Sequence, residues 1–496
     1  MNIPHQYQLF TAAESRELDR RTIEEFGIDG FTLMEIAGTR AADFILNQFP
    51  DSAKGLVLCG RGNNAGDALV VSRILAENGF LLTILFVDGD QNLSSDCEKN
   101  YRLLKALESG NVEFASSTSS IDSSFDFIID GMLGTGLNSN IRSPYTEAIE
   151  LANEMDCTKF AMDIPTGLHA DDGTILGSVF KADFTFAFGT LKHGFYQNEG
   201  YESCGKVIYC ELPFPSKLKN SSGFILNNDW LEKIEFSQKQ RSHKYDGGVV
   251  YIIAGSEGLT GAAKLASLSA WNTGVGAVVL ITPKGLLPIY DEQLIHIIKK
   301  PVGNKPDVRF TEDHINEVQQ ILSEKPGVLL IGPGIGRDQS TIQFTQQILS
   351  TYEGDVVIDA DALFALSMVS SNFKPDNANW ILTPHQGELN QLSTSVSESR
   401  IETALQLSQE LDTTVLSKGL PSIVISEDEQ SIFTDYDTRI FSRAGFGDVL
   451  AGKIAGYQLL SGNRELACCL ALIDGKTKAF NYLNVSNEPL EPLDII

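Results

Sequence analysis

The chain reads as two α/β units in series, each a parallel sheet covered by helices. Three observations predict this. At 496 residues it exceeds one ordinary domain, and its apolar content can fill two cores. Short, continuously apolar runs recur between stretches of helical periodicity, the pattern of strands buried on both faces. Nearly every such run ends in a loop of Gly, Asn, Asp, Thr or His, where open parallel sheets bind ligands.

Residues 11–50 predict two helices. TAAESRELDRRTIEEFG turns an apolar face through Leu18, Ile23 and Phe26 and stops at Gly27; FTLMEIAGTRAADFILNQF repeats apolar residues at helical spacing. GLVLC (55–59) is then a buried strand, followed by the loop Gly60–Asp67 and a helix to about Asn78. FLLTILFVDG, FDFIIDGMLGTGL, KFAMDIPTGL, DFTFAFGT and KVIYCEL supply five more strands. Polar residues gather behind three of them: Asn63, Asn64 and Asp67; Asp130 to Asn138; Asp163 to Gly167. The glycine loop is not a strict G-x-G-x-x-G, so on its own a plain strand–helix turn is the preferred reading. The oxygens of Asn64, Asp130 and Thr166 are hard ligands that suit an alkali or alkaline-earth cation. Asp163 is left over for acid–base work.

The stretch 213–242, with two prolines and a Lys/Asn/Ser cluster, is the expected join, placed near Ser221. Beyond it GVVYIIAGS, GAVVLITP, GVLLIGPGIG, DVVIDADAL, NWILTPHQGEL and TTVLSKG repeat the strand–loop–helix theme, and PSIVISED with SIFTDYD predicts an antiparallel ribbon. Asp359 and Asp361 could serve a metal or cap a helix. His385 could bind a ligand or only its neighbours, and Lys418-Gly419 could meet a diphosphate or simply turn. Ala444-Gly445-Phe446-Gly447-Asp448 precedes an apolar helical run, so its bare amides at a helix start can hold an anion. Asp448 is there either an N-cap or a base.

A net charge of −27 without a basic stripe excludes nucleic acid as a partner. Seven cysteines without a C-x-x-C pair suggest neither a disulfide framework nor zinc. MNIPHQYQLF has no basic-then-apolar leader, and no apolar run approaches the ~18–20 residues of a membrane span, so a cytoplasmic protein is expected.

GRGNNAGDA, DGMLGTGL and MDIPTGLHADDG, in that order, resemble the NAD(P)H-hydrate epimerase domain over about residues 10–215. The resemblance implies a Rossmann-like three-layer sandwich and a potassium ion held by Asn64, Asp130 and Thr166. It implies a hydrated cofactor touching Asn63, Asn64, Ala65, Gly66 and Asp67, and the loop Gly134, Thr135, Gly136, Leu137, Asn138, Ser139 and Asn140. Asp163 would be catalytic. The family usually carries glycine where this chain has Ala65 and Ala68, and those methyl groups would narrow the loop and exclude positive φ.

HKYDGG, IIAGSEGLTGAA, GPGIG, DADAL, LTPHQGE, LSKG and GFGD resemble the ADP- or ATP-dependent NAD(P)H-hydrate dehydratase, a ribokinase-like fold, over about residues 224–490. By position, the hydrate would meet Ala262, Gly334, His385 and Asp448, with Asp448 catalytic. The nucleotide would meet Lys418, Gly419, Leu420, Pro421, Ser422 and Gly447. Two departures stand out: Asp437-Thr438-Arg439-Ile440 replaces a Gly-Asn-Pro-Gly loop, and Phe446 replaces a threonine. A benzyl group in the loop and a carboxylate near phosphate would both oppose nucleotide, unless Arg439 or a metal intervened.

The two resemblances joined, 1–221 and 222–496, imply a bifunctional repair enzyme. Its partners would be hydrated NADH or NADPH and ADP, with magnesium accompanying the nucleotide, in a homo-oligomer. The rivals are a ribokinase-like kinase of a vitamin alcohol and a non-catalytic nucleotide-binding protein.

Overall fold

The computed structural model describes residues 4–121, 124–231, 248–369, 373–397, 399–425 and 430–496. The chain divides into two compact units, Met1–Phe224 and Ile225–Ile496. Of the HKYDGG motif, His243 to Gly247 lie outside the described residues.

In the first unit, Thr11 caps the helix Ala12–Arg21 in a reciprocal box with Glu14, and Gly27 ends the following turn at φ +88°. Short β1 (Gln8–Phe10) is followed by the helix Gly30–Leu46 and then by β2 (Lys54–Cys59), β3 (Leu81–Phe86), β4 (Val112–Ala115), β5 (Phe127–Gly131), β6 (Thr158–Met162), β7 (Phe184–Phe188), β8 (Leu191–Lys192) and β9 (Lys206–Cys210). Seven of these form one parallel sheet in the order β4-β3-β2-β5-β6-β7-β9. Alternate residues explain the continuous apolar pattern. Val57 and Cys59 pack with one buried cluster, Leu56 and Leu58 with another, so both faces are covered and the layers number three. Stacked phenylalanines, Phe160 against Phe184 and Phe186 at 5.5 and 5.8 Å, fill the first of these clusters. Chain direction across the sheet reverses between β2 and β5, the Rossmann-type switch point, which puts the loops after those strands beside one crevice.

β10 (Gly223–Leu226) spans the division of the units, and its start pairs antiparallel with β1. In the second unit β11 (Val249–Ile253), β12 (Ala277–Pro283), β13 (Ile298–Val302), β14 (Gly327–Ile331), β15 (Gly354–Ile358), β16 (Ala378–Leu382) and β17 (Thr414–Ser417) run parallel in the order β13-β12-β11-β14-β15-β16-β17. β18 (Ile423–Ile425) and β19 (Ser431–Thr434) continue as the expected antiparallel ribbon. The sequence reading missed β1, β4, β8, β10 and β13, and the causes for β4 and β13 are plain. Both are edge strands, one a short VEFA and the other carrying Lys299, Lys300 and Pro301, so neither shows a continuous apolar run.

Candidate functional site

The crevice of the first unit holds a cavity of about 490 Å³ lined by Asn63, Asn64, Asp67, Gly134, Thr135, Gly136 and Asp163. Asp163 follows β6 directly at φ +58°, a conformation that costs energy unless the surroundings impose it. Its N–H donates to Phe186 O at 2.9 Å and its Oδ1 accepts from Phe188 N at 3.3 Å, which tie it to the neighbouring strand. The same Oδ1 pairs with Lys192 Nζ, a 1% exposed lysine that also donates to Thr190 O at 3.1 Å. Asp19 lines the cavity as well, and burial followed by the Asp163 charge raises its carboxyl to about 6. Asp67 is raised for the same two reasons in the same order. The cavity thus concentrates carboxyl groups around one buried ammonium.

Beneath it, Asp130 is fully buried. Thr166 N and Thr166 Oγ1 each donate to it at 2.7 Å, and Met132 N donates at 3.1 Å. Burial still raises its carboxyl to about 6, because no cation among the described residues offsets the desolvation. Asn64 Nδ2 donates to Leu133 O at 3.2 Å, while Asn64 Oδ1 is buried without a partner. An orphaned amide oxygen, a hydroxyl and one uncompensated carboxylate form an oxygen-only set of low charge, which fits a weakly hydrated monovalent cation.

Two expectations for this site need correction. The chain is already helical from Asn63, through Glu77, so Ala65 and Ala68 occupy ordinary helix and need no positive φ. Ala65 and Gly66 therefore face the core, and a Cβ on Gly66 would lie 2.5 Å from Met34 Sδ. Leu137, Asn138, Ser139 and Asn140 leave the cavity wall, because Leu137 packs into the cluster of Met132, Ile141 and Phe180. Lys192 and Asp19 escaped the sequence reading; the available signal was a lysine inside the apolar run FAFGTLKHGF.

In the second unit, the helix Phe446–Ser461 starts at Gly445, which sits at φ +98° with Leu265 and Pro492 where a side chain would go. Asp448 lies in its first turn and is not the N-cap. The helix mouth adjoins Lys418, whose Nζ is 3.7 Å from where a Cβ on Gly447 would sit. Lys418 Nζ donates to Asp359 Oδ1 at 2.8 Å, and Thr383 Oγ1 donates to the same oxygen at 2.6 Å. Burial alone would lower the Lys418 ammonium, but Asp359 and Glu388 outweigh it and hold its pKa above the usual value. Burial, then Asp359, pushes the Asp448 carboxyl up to about 7. Asp361 accepts from Gly336 N at 3.0 Å and Arg337 Nε at 2.6 Å, pinning the GPGIG turn. Between the two aspartates Ala360 is held at φ +51°.

A cavity of about 410 Å³ adjoins this cluster, lined by His385, Lys418, Gly419, Leu420, Ser422 and Gly447. Its far wall includes Tyr436, Phe441 and Lys453, the last a single lysine in the apolar run VLAGKIAG that the sequence reading passed over. His385 is held by its neighbours and also lines the cavity. Its Nδ1 accepts from Gly387 N at 3.0 Å and Glu388 N at 3.3 Å as a helix cap, while its ring stays on the cavity wall. Ala262, Gly334, Pro421 and Asp448 are off that wall; Ala262 packs on Gly334, 3.0 Å from its would-be Cβ.

Both departures are accommodated. The Phe446 ring is 3% exposed and edge-on to Phe441 at 5.4 Å, part of a cluster with Val449, Ala479 and Leu490. The Asp437 carboxylate is taken by Arg439 through contacts of 2.8–3.0 Å, which hold it below the usual carboxylate range.

Residues 30–194 match the family described as YjeF-related protein N-terminus, and residues 250–480 match the NAD(P)H-hydrate dehydratase family. The bifunctional NAD(P)H-hydrate repair enzyme Nnr of Salinibacter ruber is 29% identical over 96% of this chain and 92% of its own. Its counterpart in Escherichia coli is 29% identical over 95% and 89%. Among solved structures, the Bacillus subtilis ADP/ATP-dependent NAD(P)H-hydrate dehydratase co-crystallized with ATP/Mg2+ is 22% identical, covering 55% of this chain and 94% of its own with a TM-score of 0.47. With one family matched on each unit and relatives aligned across both, the chain is similar over both units to the bifunctional NAD(P)H-hydrate repair enzymes.

Proposed function

We propose that this chain returns hydrated NADH and NADPH to use, the first unit interconverting the R and S hydrates and the second dehydrating the S form at the expense of ADP. The observation that carries this is one chain with a separate cavity in each unit, with Asp163 on the wall of the first and Asp448 next in sequence to Gly447 on the wall of the second.

In the first unit, inverting the carbinol carbon requires a proton to be given and taken back at the departing and returning oxygen. Asp163, fixed to β7 by its hydrogen bonds and paired with Lys192, is placed for that exchange. Asn64, Asp130 and Thr166 would hold potassium, which when bound supplies a fixed positive charge under the site. In the second unit, Asp448 accepts the proton of the hydrate's hydroxyl as its oxygen attacks the β-phosphorus of ADP, and AMP leaves. The carbon–oxygen bond of the phosphate ester then breaks, expelling inorganic phosphate, and loss of a proton from the adjacent ring carbon restores the reduced ring. The amides at the start of the helix Phe446–Ser461, with the Asp359-paired Lys418 beside them, face the transferring phosphoryl charge. Magnesium bound with the nucleotide supplies further charge neutralisation.

Incubating the protein with mixed R and S hydrates, with and without ADP, tests the proposal by recovery of reduced-nicotinamide absorbance. Complete recovery only with ADP is the expected result. Recovery of the S fraction alone would remove the epimerase role, and accumulation of a stable phosphate ester would make the second unit a kinase.

A further inference from the structure

The cations on the wall of the second unit's cavity have little free charge to offer a phosphate. Lys418 is paired with Asp359, Arg439 with Asp437 and Lys453 with Asp474. With a formal net charge of −27, the chain as a whole opposes an anion. A different residue breaks this pattern.

Arg400 is the first residue of the helix Arg400–Leu411, behind the loop that forms the cavity wall at Gly419. Its Nη2 donates to Pro421 O at 2.5 Å. Its Nη1 lies 2.0 Å from the point where a Cβ on Gly419 would sit, so the guanidinium fills the side-chain space of that glycine. Among the described residues no carboxylate pairs with it, and burial alone accounts for its lowered pKa of about 10, which leaves it charged at neutral pH. The nearest acidic candidate in its own first turn, Glu402, is engaged by Ser397 Oγ. A cation at a helix N-terminus also meets the positive end of the dipole. Desolvation with no counter-ion among the described residues and an opposed dipole are both unfavourable, and an anion seated on the far side of the Gly419 loop relieves both.

We infer that Arg400 is a positioning residue for the nucleotide, its charge, which no carboxylate among the described residues pairs, and its grip on the Gly419–Pro421 backbone making this loop the seat of the diphosphate. This rests on the reading of the cavity as the ADP site. It differs from the role of Lys418, whose charge is committed to Asp359.

The test is calorimetric titration of the full-length protein, its R400Q and its R400K, with ADP, adenosine and inorganic phosphate. Glutamine and lysine can each still donate to Pro421 O, but only lysine keeps the charge. ADP should bind R400Q about tenfold to a hundredfold more weakly than wild type, the range for loss of a charged partner. R400K should stay within about threefold of wild type, and adenosine should bind all three alike. Equal weakening of ADP and adenosine in R400Q would reduce Arg400 to a loop prop, and unchanged ADP binding would remove it from the site. Wild type that binds phosphate but not ADP, with phosphate lost in R400Q, would keep the anion seat and discard the nucleotide reading. Wild type that binds neither overturns both.

Discussion

Asp448 is an ionisable group held where ionisation is costly, so Asp448→Asn should separate catalysis from folding. The carboxyl is raised from 3.8 to about 7, first by burial and then by Asp359. The folded state therefore keeps a proton between about pH 4 and pH 7 that the unfolded state has released, and stability falls as pH rises through that window. The full displacement is equivalent to about 4 kcal/mol, an upper bound that solvent screening reduces. Asparagine carries no such cost. At pH 8 the variant should gain about 1–2 kcal/mol over wild type, and at pH 4 the gain should vanish. Dehydration should fall on the order of 10²-fold or more, because asparagine cannot take the hydroxyl proton. In wild type, kcat/KM for dehydration should rise about tenfold per pH unit up to about 7 and then level off. Urea melts at the two pH values and an ADP-dependent dehydration assay read these quantities. Gly445 is the N-cap of this helix, so a silent Asp448→Asn would no longer be explained by capping. Near-wild-type dehydration in that variant would refute the assignment of Asp448 as the base, and lower stability at pH 8 would refute the account of its environment.

The first unit and the altered loop give three further tests. Asp163→Asn should cost epimerisation a factor on the order of 10²–10⁴ while hydrate binding persists, and equilibrium exchange between purified epimers measures it. Asp130→Ala should slow epimerisation and abolish its stimulation by potassium, yet leave ADP-dependent dehydration of pure S hydrate unchanged; parallel loss of both activities would contradict independent sites. Phe446→Thr would be an improvement if the loop were merely impaired. The buried, edge-on ring predicts instead a loss of about 2–4 kcal/mol by thermal or urea unfolding, without a gain in dehydration.

What the sequence made legible was set by local chemistry. Buried parallel strands announce themselves because every side chain of a run such as Leu56–Cys59 must be apolar. The residues at their carboxyl ends, Asn64, Asp130, Asp163, Asp359, His385 and Lys418, could be found because the topology of such sheets assigns those ends to ligands. Edge strands β4 and β13 stayed hidden, since half-exposed strands carry no continuous pattern. Lys192, Asp19 and Arg400 stayed hidden for a different reason. Each acts on a loop remote in sequence: Lys192 lies 29 residues from Asp163, and Arg400 lies 21 residues from Pro421. A single sequence contains nothing that pairs such positions. The concern over Ala65 and Ala68 failed because it assumed a loop where the backbone was already helical.

The departures from the family pattern share a property that bears on whether the second unit is degenerate. A decaying loop would collect substitutions one at a time, each leaving a buried or charged group without a partner at a cost of one to several kcal/mol. Here the added groups are matched. Phe446 has Phe441 to pack against, and Asp437 has Arg439 at 2.8–3.0 Å. Meanwhile the backbone at Gly447 remains bare, with Lys418 beside it. Matched pairs around an unobstructed helix mouth are what a working site looks like after its wall has been rebuilt, and a non-catalytic scaffold would have no physical need to keep Asp448 ionisable at about 7.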